Sequence, residues 1–135
     1  MISAAIDYGR ARIGVAATGD HGVVYPVAVI ENRSRAASLA AVRDRVLELD
    51  ARIIVVGYPL NMDGTIGPPA RAAEKFAAEL RLTTGVPVEL HDERLSSFEA
   101  RGRLNDGPAR RKRGAAIDAI AACVILESWI QSRAR

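Results

Sequence analysis

Cysteine is almost missing from this sequence. The single thiol, Cys123, permits no intrachain disulfide, so a reducing compartment is expected. Cys123 sits in the apolar stretch Ala121–Ile125, which predicts a buried packing residue. With only two histidines, the chain has no His/Cys cluster of the kind that holds zinc. Aromatic residues reach only 4%, which leaves little for reading bases by stacking. No apolar run is long enough to span a bilayer. No basic–apolar–small pattern marks a signal peptide. A soluble cytoplasmic protein with no membrane attachment is therefore expected. No repeat or linker interrupts the 135 residues, which suit one domain over 1–135 with a core of its own.

What is present is a globular composition, 49% hydrophobic and 26% charged. Arginine dominates the basic residues, and the net charge is +3 with a pI near 9.5. That balance permits a nucleic-acid partner without requiring one.

Met1–Tyr8 reads as an apolar strand, Gly9–Arg12 as a turn, and Ile13–Ala17 as the second strand of a hairpin. A third strand over Val23–Ile30 contains Pro26, which has no amide proton to donate, so it belongs at an edge or a bulge. Asn32 or Ser34 can cap a helix reaching Asp50, with Leu39, Val42, Val46 and Leu49 as its apolar stripe. The run Ile53–Gly57 is continuous and β-branched, as in a parallel strand buried on both faces. Pro68 or Pro69 opens the next helix and Gly85 ends it. Val86–His91 is a further strand. Ser96 and Glu99 form a capping box that starts another helix, Asp106–Gly114 reads as a loop, and a last helix runs from about Ala115 to Ser132. The order predicts an α/β fold. Its mixed five-stranded sheet has three antiparallel strands followed by parallel ones, with helices on both faces.

Asp7 ends the first strand, facing with Ser3 and Ala5. A turn-shaping role would also account for an Asp at that place. Asp118 is harder to explain that way. Helical spacing aligns it with Ala121, Ala122, Ile125 and Trp129, the apolar face of the last helix. A carboxylate there costs several kcal/mol unless it is paired or bound to a metal. An acid favoured by the helix dipole, or a buried salt bridge, is the plainer alternative. His91-Asp92-Glu93-Arg94 lies where a strand gives out. Alternation places Asp92 with Val88 and Leu90, and Glu93 on the other side, but at a strand end this does not choose between the two acids.

Ligands of α/β sheets gather beyond the carboxyl ends of the parallel strands. Asp7, the segment after Gly57, and Asp92-Glu93 all sit at such ends. A carboxylate set of this kind suits Mg²⁺ or Mn²⁺, and paired ions can promote phosphodiester hydrolysis. Arg110, Arg111, Lys112 and Arg113 form a basic run just before the helix of Asp118, where they can neutralise phosphates.

Four segments, in order along nearly the whole chain, resemble the YqgF/RuvX family of RNase H-like nucleases. They are Ile6-Asp7-Tyr8-Gly9 with Arg12-Ile13-Gly14-Val15, then Val56 to Gly64, then Asp92 to Ser97, then Ile117 to Ala122. The resemblance implies an RNase H-like fold and a metal-dependent nuclease whose acids are Asp7, Glu93 and Asp118. It implies maturation of the 5′ end of pre-16S rRNA or, alternatively, resolution of Holliday junctions. A resolvase needs two sites on a symmetric junction, which implies a homodimer. Arg12, Asn61, Arg94 and the Arg110–Arg113 run are the expected contacts to the nucleic-acid backbone. Ser96-Ser97 and Ala11 depart from the family's common threonines and lysine without removing a carboxylate.

Two other readings stand beside this one. Asp7-x-Gly9 followed by Gly14 also resembles the phosphate hairpin of actin-like and sugar-kinase folds, but those clamp nucleotide between two domains. A non-catalytic nucleic-acid-binding module would leave carboxylates facing phosphate with no metal between them.

Overall fold

The computed structural model describes residues 1–95 and 114–134, the side chains of 114–118 excepted. The elements are β1 (Ser3–Tyr8), β2 (Arg12–Thr18), β3 (Val24–Glu31), α1 (Arg35–Glu48), β4 (Ile53–Tyr58), α2 (Pro68–Thr84), β5 (Val88–Asp92), a 3₁₀ turn (Glu93–Leu95) and α3 (Gly114–Arg133). The expected capping-box helix at Ser96–Glu99 and residues 106–113 of the expected loop, with its basic run, lie outside the described residues, while Gly114, expected to close that loop, opens α3.

The strands form one five-stranded sheet in the order β3-β2-β1-β4-β5. β1, β2 and β3 pair antiparallel, while β4 pairs parallel with both β1 and β5. This is the mixed sheet that the element order predicts. Pro26 satisfies both of its expected conditions. It lies on edge strand β3, and the β2–β3 register shifts beside it, between Val15 and Ala16.

Local chemistry sets the helix ends. Ser34, not Asn32, caps α1, its side chain accepting from the Ala37 amide at 3.2 Å. Asn32 instead donates Nδ2 to the Gly9 carbonyl at 2.9 Å and so fixes the β1–β2 turn. Pro68 occupies the first turn of α2, and Gly85 ends that helix at φ +73°, a left-handed conformation a side chain would strain.

The sheet is covered on both faces, which explains why β4 is apolar throughout. On one face Ala4, Ile6, Ile13, Val15, Ile54 and Val56 pack with Val42 and Val46 of α1 and Phe76 and Leu80 of α2. Tyr8 stacks on Phe76 there, ring centroids 4.4 Å apart. On the other face Ala5 and Val55 meet Ile125, Leu126 and Trp129 of α3. The buried stripe of α3 includes Ala119, Ala122, Ile125, Leu126 and Trp129, whereas Ala121 is only partly buried. Cys123 is also only partly buried, which corrects the expectation of a core thiol. Burial and the charge of Glu127 still push its pKa up to about 11. No helix among the described residues is long and apolar enough to cross a membrane.

Candidate active site

Asp7 is next to last in β1 and pairs with Gly14 of β2. Alternation along the strand puts its side chain on the face of Ala5, which α3 covers. The parallel register of β1 and β4 runs through Ala5–Val55 and Ile6–Val56, so its next step sets Asp7 beside Gly57. Gly57 lies two residues beyond Val55 and shares the α3 face.

Gly57 is buried and has no room for a side chain. A Cβ there would stand 2.6 Å from Ile125 Cδ1, 3.2 Å from Glu93 Cδ and 3.3 Å from Glu93 Cγ. Glu93, the first residue of the 3₁₀ turn after β5, therefore lays its side chain over Gly57. Asp7 and Glu93 thus reach the same face at the carboxyl ends of β1 and β5, the two strands that flank β4, with Gly57 of β4 between them. Both carboxylates are partly buried, and both make interactions within the fold.

α3 runs against the parallel strands. Ile125 packs on Gly57, Ser128 meets His91, and Trp129 meets Glu89, two residues earlier in β5. Moving back along α3 from Ile125 therefore leads toward the carboxyl ends of the strands. Position 118 lies two helical turns before Ile125, in line with Ala122 and Ile125. The backbone puts Asp118 at the end of the sheet that carries Asp7 and Glu93. Its side chain is outside the described residues. Among the described residues no three His, Cys, Asp or Glu side chains gather to hold a metal ion.

Asp92 has a different job. It shares a face with Val88, toward α1 and α2. Its carboxylate accepts from the Arg94 amide at 2.9 Å, from Nε at 3.1 Å and from Nη2 at 2.8 Å. Those bonds hold its pKa below the ordinary carboxylate value. Arg94 also donates Nη1 to the Met62 carbonyl at 3.3 Å, tying the end of β5 to the loop after β4. Asn61 braces that loop from inside. Its Nδ2 donates to Thr65 Oγ1 at 2.9 Å and its amide to the Thr65 carbonyl at 3.0 Å. Asp63 accepts from the Thr65 hydroxyl at 2.6 Å and from its amide at 3.0 Å, which lowers the Asp63 pKa. Arg94 and Asn61, both expected as backbone contacts, thus hold the loop together while remaining exposed. Arg12 opens β2 opposite Glu31, exposed at the β1–β2 turn. Arg110–Arg113 lie outside the described residues.

The lone His91 is structural. It is 6% exposed, and its Nε2 lies 2.8 Å from Ser128 Oγ. The Ser128 hydroxyl donates to the Leu95 carbonyl at 3.2 Å, so His91 Nε2–H donates to Oγ in turn. The chain His91–Ser128–Leu95 pins the turn that begins with Glu93. Burial lowers the His91 pKa, against the raising charges of Asp92 and Glu89. Sequence reading missed both the Gly57 floor and this relay. A glycine in a β-branched strand was the available signal for the first; a serine on a helix facing β5 gave none.

The RuvX family model, described as Holliday junction resolvase, matches residues 1–132. A protein of Anaeromyxobacter sp. strain Fw109-5 named "Putative pre-16S rRNA nuclease" is 48% identical over 130 residues, 95% of each chain. The structure of T. thermophilus RuvC in complex with Holliday junction substrate superposes with TM-score 0.64 at 13% identity, covering 98% of this chain and 96% of that one. The fowlpox virus resolvase in complex with Holliday junction DNA gives TM-score 0.63 at 10% identity, covering all of both chains. These two likenesses establish the shared fold.

Proposed function

The chain belongs to the RuvX family and is a nuclease, and on that premise we propose that it hydrolyses phosphodiester bonds at a divalent-cation site built on Asp7, Glu93 and Asp118, most directly at the 5′ end of pre-16S rRNA. The observation that carries the reading is the side chain of Glu93 lying over Gly57, in the strand beside Asp7. Two acids from strands far apart in sequence are brought to one face at the carboxyl end of the sheet.

The donor set fits Mg²⁺ or Mn²⁺. Ionised carboxylates supply only oxygen acceptors, the donors that these hard divalent cations take. When bound, such ions activate water and offset charge on the phosphate. The residues of the chain do the rest. Asp7 and Glu93 hold their oxygens on rigid elements, a paired strand and a turn pinned by Ser128. Gly57, having no side chain, lets Glu93 lie against the backbone of β4. The Arg94–Asp92 pair keeps the loop after β4 in place beside the site. Arg12 and the Arg110–Arg113 run carry the positive charge that draws the phosphodiester backbone. On this reading the protein acts in the cytoplasm, alongside the rRNA it would process.

Cleavage of a pre-16S 5′ leader and of a four-way DNA junction, side by side in Mg²⁺ and in Mn²⁺, tests the proposal. Cleavage of the leader that stops with chelator and in Asp7→Asn supports it. Preferential cutting of the junction, by a species that sediments as a homodimer, would move the assignment to branched DNA. Full activity of a clean Asp7→Asn preparation would overturn the site.

A further inference from the structure

On the opposite face of β1 from Asp7, a cleft of about 530 Å³ opens between the β1–β2 turn and the first turn of α2. Tyr8, Arg10, Asn32, Pro68, Pro69 and Ala72 line it. We propose that this cleft receives one unstacked nucleobase of the substrate strand, next to the phosphodiester held at Asp7. The proposal rests on the nuclease reading above and adds a subsite to it.

The size lies within the range of small-ligand pockets. The lining chemistry selects a base over a phosphate. A helix N-terminus ordinarily offers amide protons to an anion. α2 opens with Pro68 and Pro69, which have none, so two of those donors are replaced by apolar rings. The Tyr8 ring adds a flat aromatic surface. Among the described residues no carboxylate lines the cleft, and the one charge there is the exposed guanidinium of Arg10, placed to meet the phosphate next to a bound base.

The walls are fixed before a ligand arrives. Tyr8 is stacked on Phe76 at 4.4 Å. Asn32 donates to the Gly9 carbonyl at 2.9 Å and accepts from Ser38 Oγ at 2.9 Å, which orients its amide. The second Nδ2 proton is left over from those two bonds and can read a base edge. A preformed site loses little entropy on binding. Asp7 and Tyr8 are consecutive, with side chains on opposite faces of β1. A strand lying against Asp7 reaches the cleft by crossing the tight turn between Gly9 and Arg12, which carries Arg10 and Arg12. The scarcity of aromatics excludes a platform for many bases; one ring serves one base.

The test uses a single-stranded RNA 12-mer of pre-16S leader sequence carrying 2-aminopurine at one position at a time. It is titrated with full-length protein in EDTA, so that binding is read without cleavage. Ala72 is exposed on α2, and Ala72→Phe fills the cleft without touching the core. Arg10→Glu reverses the charge on an exposed turn, and Arg52→Glu, exposed just before β4, is the control. Wild type is expected to quench the probe strongly at one position. Ala72→Phe should abolish that quench and weaken binding about ten-fold, the size of one lost stacking contact. Arg10→Glu should weaken binding more than Arg52→Glu. An unchanged quench and affinity in both Ala72→Phe and Arg10→Glu, with metal-dependent cleavage intact, would overturn the subsite and leave the nuclease standing. Free AMP that saturates the cleft as tightly as the strand would also overturn it. A wild-type protein that neither binds the 12-mer nor cleaves any substrate would overturn both.

Discussion

Glu93 fills the space that a β-carbon on Gly57 would require: its Cδ lies 3.2 Å, and its Cγ 3.3 Å, from that position. The acid after β5 is thus seated on the bare backbone of the neighbouring strand. Gly57→Ala should drive Ile125, 2.6 Å from the new methyl, and Glu93 off their positions. Overpacking of this kind costs about 1–3 kcal/mol. A lower urea midpoint together with a disproportionate loss of cleavage is expected. Stability lost with full activity retained would mean that the position of Glu93 does not matter to catalysis.

Asp7, Glu93 and Asp92 should separate by role. Asp7→Asn and Glu93→Gln each remove a charge from the shared face, and metal-dependent cleavage should fall by at least about 100-fold, given the several kcal/mol that metal-stabilised charge contributes. Their circular dichroism spectra should match wild type. Asp92→Asn instead releases Arg94, bound at 2.8 Å, and should reduce activity far less. Equal losses in Asp92→Asn and Glu93→Gln would remove the distinction. Binding of Mn²⁺, read by electron paramagnetic resonance, should weaken in the Asp7 and Glu93 variants and stay unchanged in Asp92→Asn.

Ser128→Ala breaks both ends of the relay. It leaves the buried His91 Nε2–H without its partner at 2.8 Å and frees the Leu95 carbonyl from its bond at 3.2 Å. An unpaired buried donor costs about 1–3 kcal/mol. Ser128→Thr keeps the hydroxyl and should recover most of the loss. Denaturant unfolding of the two variants measures this, and equal stabilities would show that the hydroxyl contributes nothing.

Burial holds the His91 pKa below its ordinary 6.5, so its neutral form is the one the fold favours. Below pH 6.5 the unfolded chain binds a proton that the folded chain resists. The stability that His91 confers is therefore complete above that value and falls as pH drops below it. Asp92 and Asp63, lowered from 3.8, lose their contributions only in more acidic solution. The urea midpoint should decline from pH 7.5 to 5.5, and the decline should be smaller in His91→Gln. Identical slopes would assign the pH dependence elsewhere.

The sequence determined the elements and the kind of fold. Periodicity, the apolar run at Ile53–Gly57, Pro26, Gly85 and the prolines at 68 and 69 are local signals, and each acts on backbone within a few residues of itself. They sufficed for a mixed sheet with helices on both faces. Strand alternation also set Glu93 and Asp92 on opposite sides, as the structure has them, though it did not choose between them. Only the tertiary structure decided what each acid meets. Arg94 engages Asp92, and Glu93 rests on Gly57, which lies 36 residues earlier in the chain. Asn61 and Arg94, read from sequence as contacts for nucleic acid, hold the loop after β4 together. The cause is physical. A side chain's partner depends on strand register and on the direction of α3 across the sheet, and these follow from packing both apolar faces at once rather than from any short stretch of sequence.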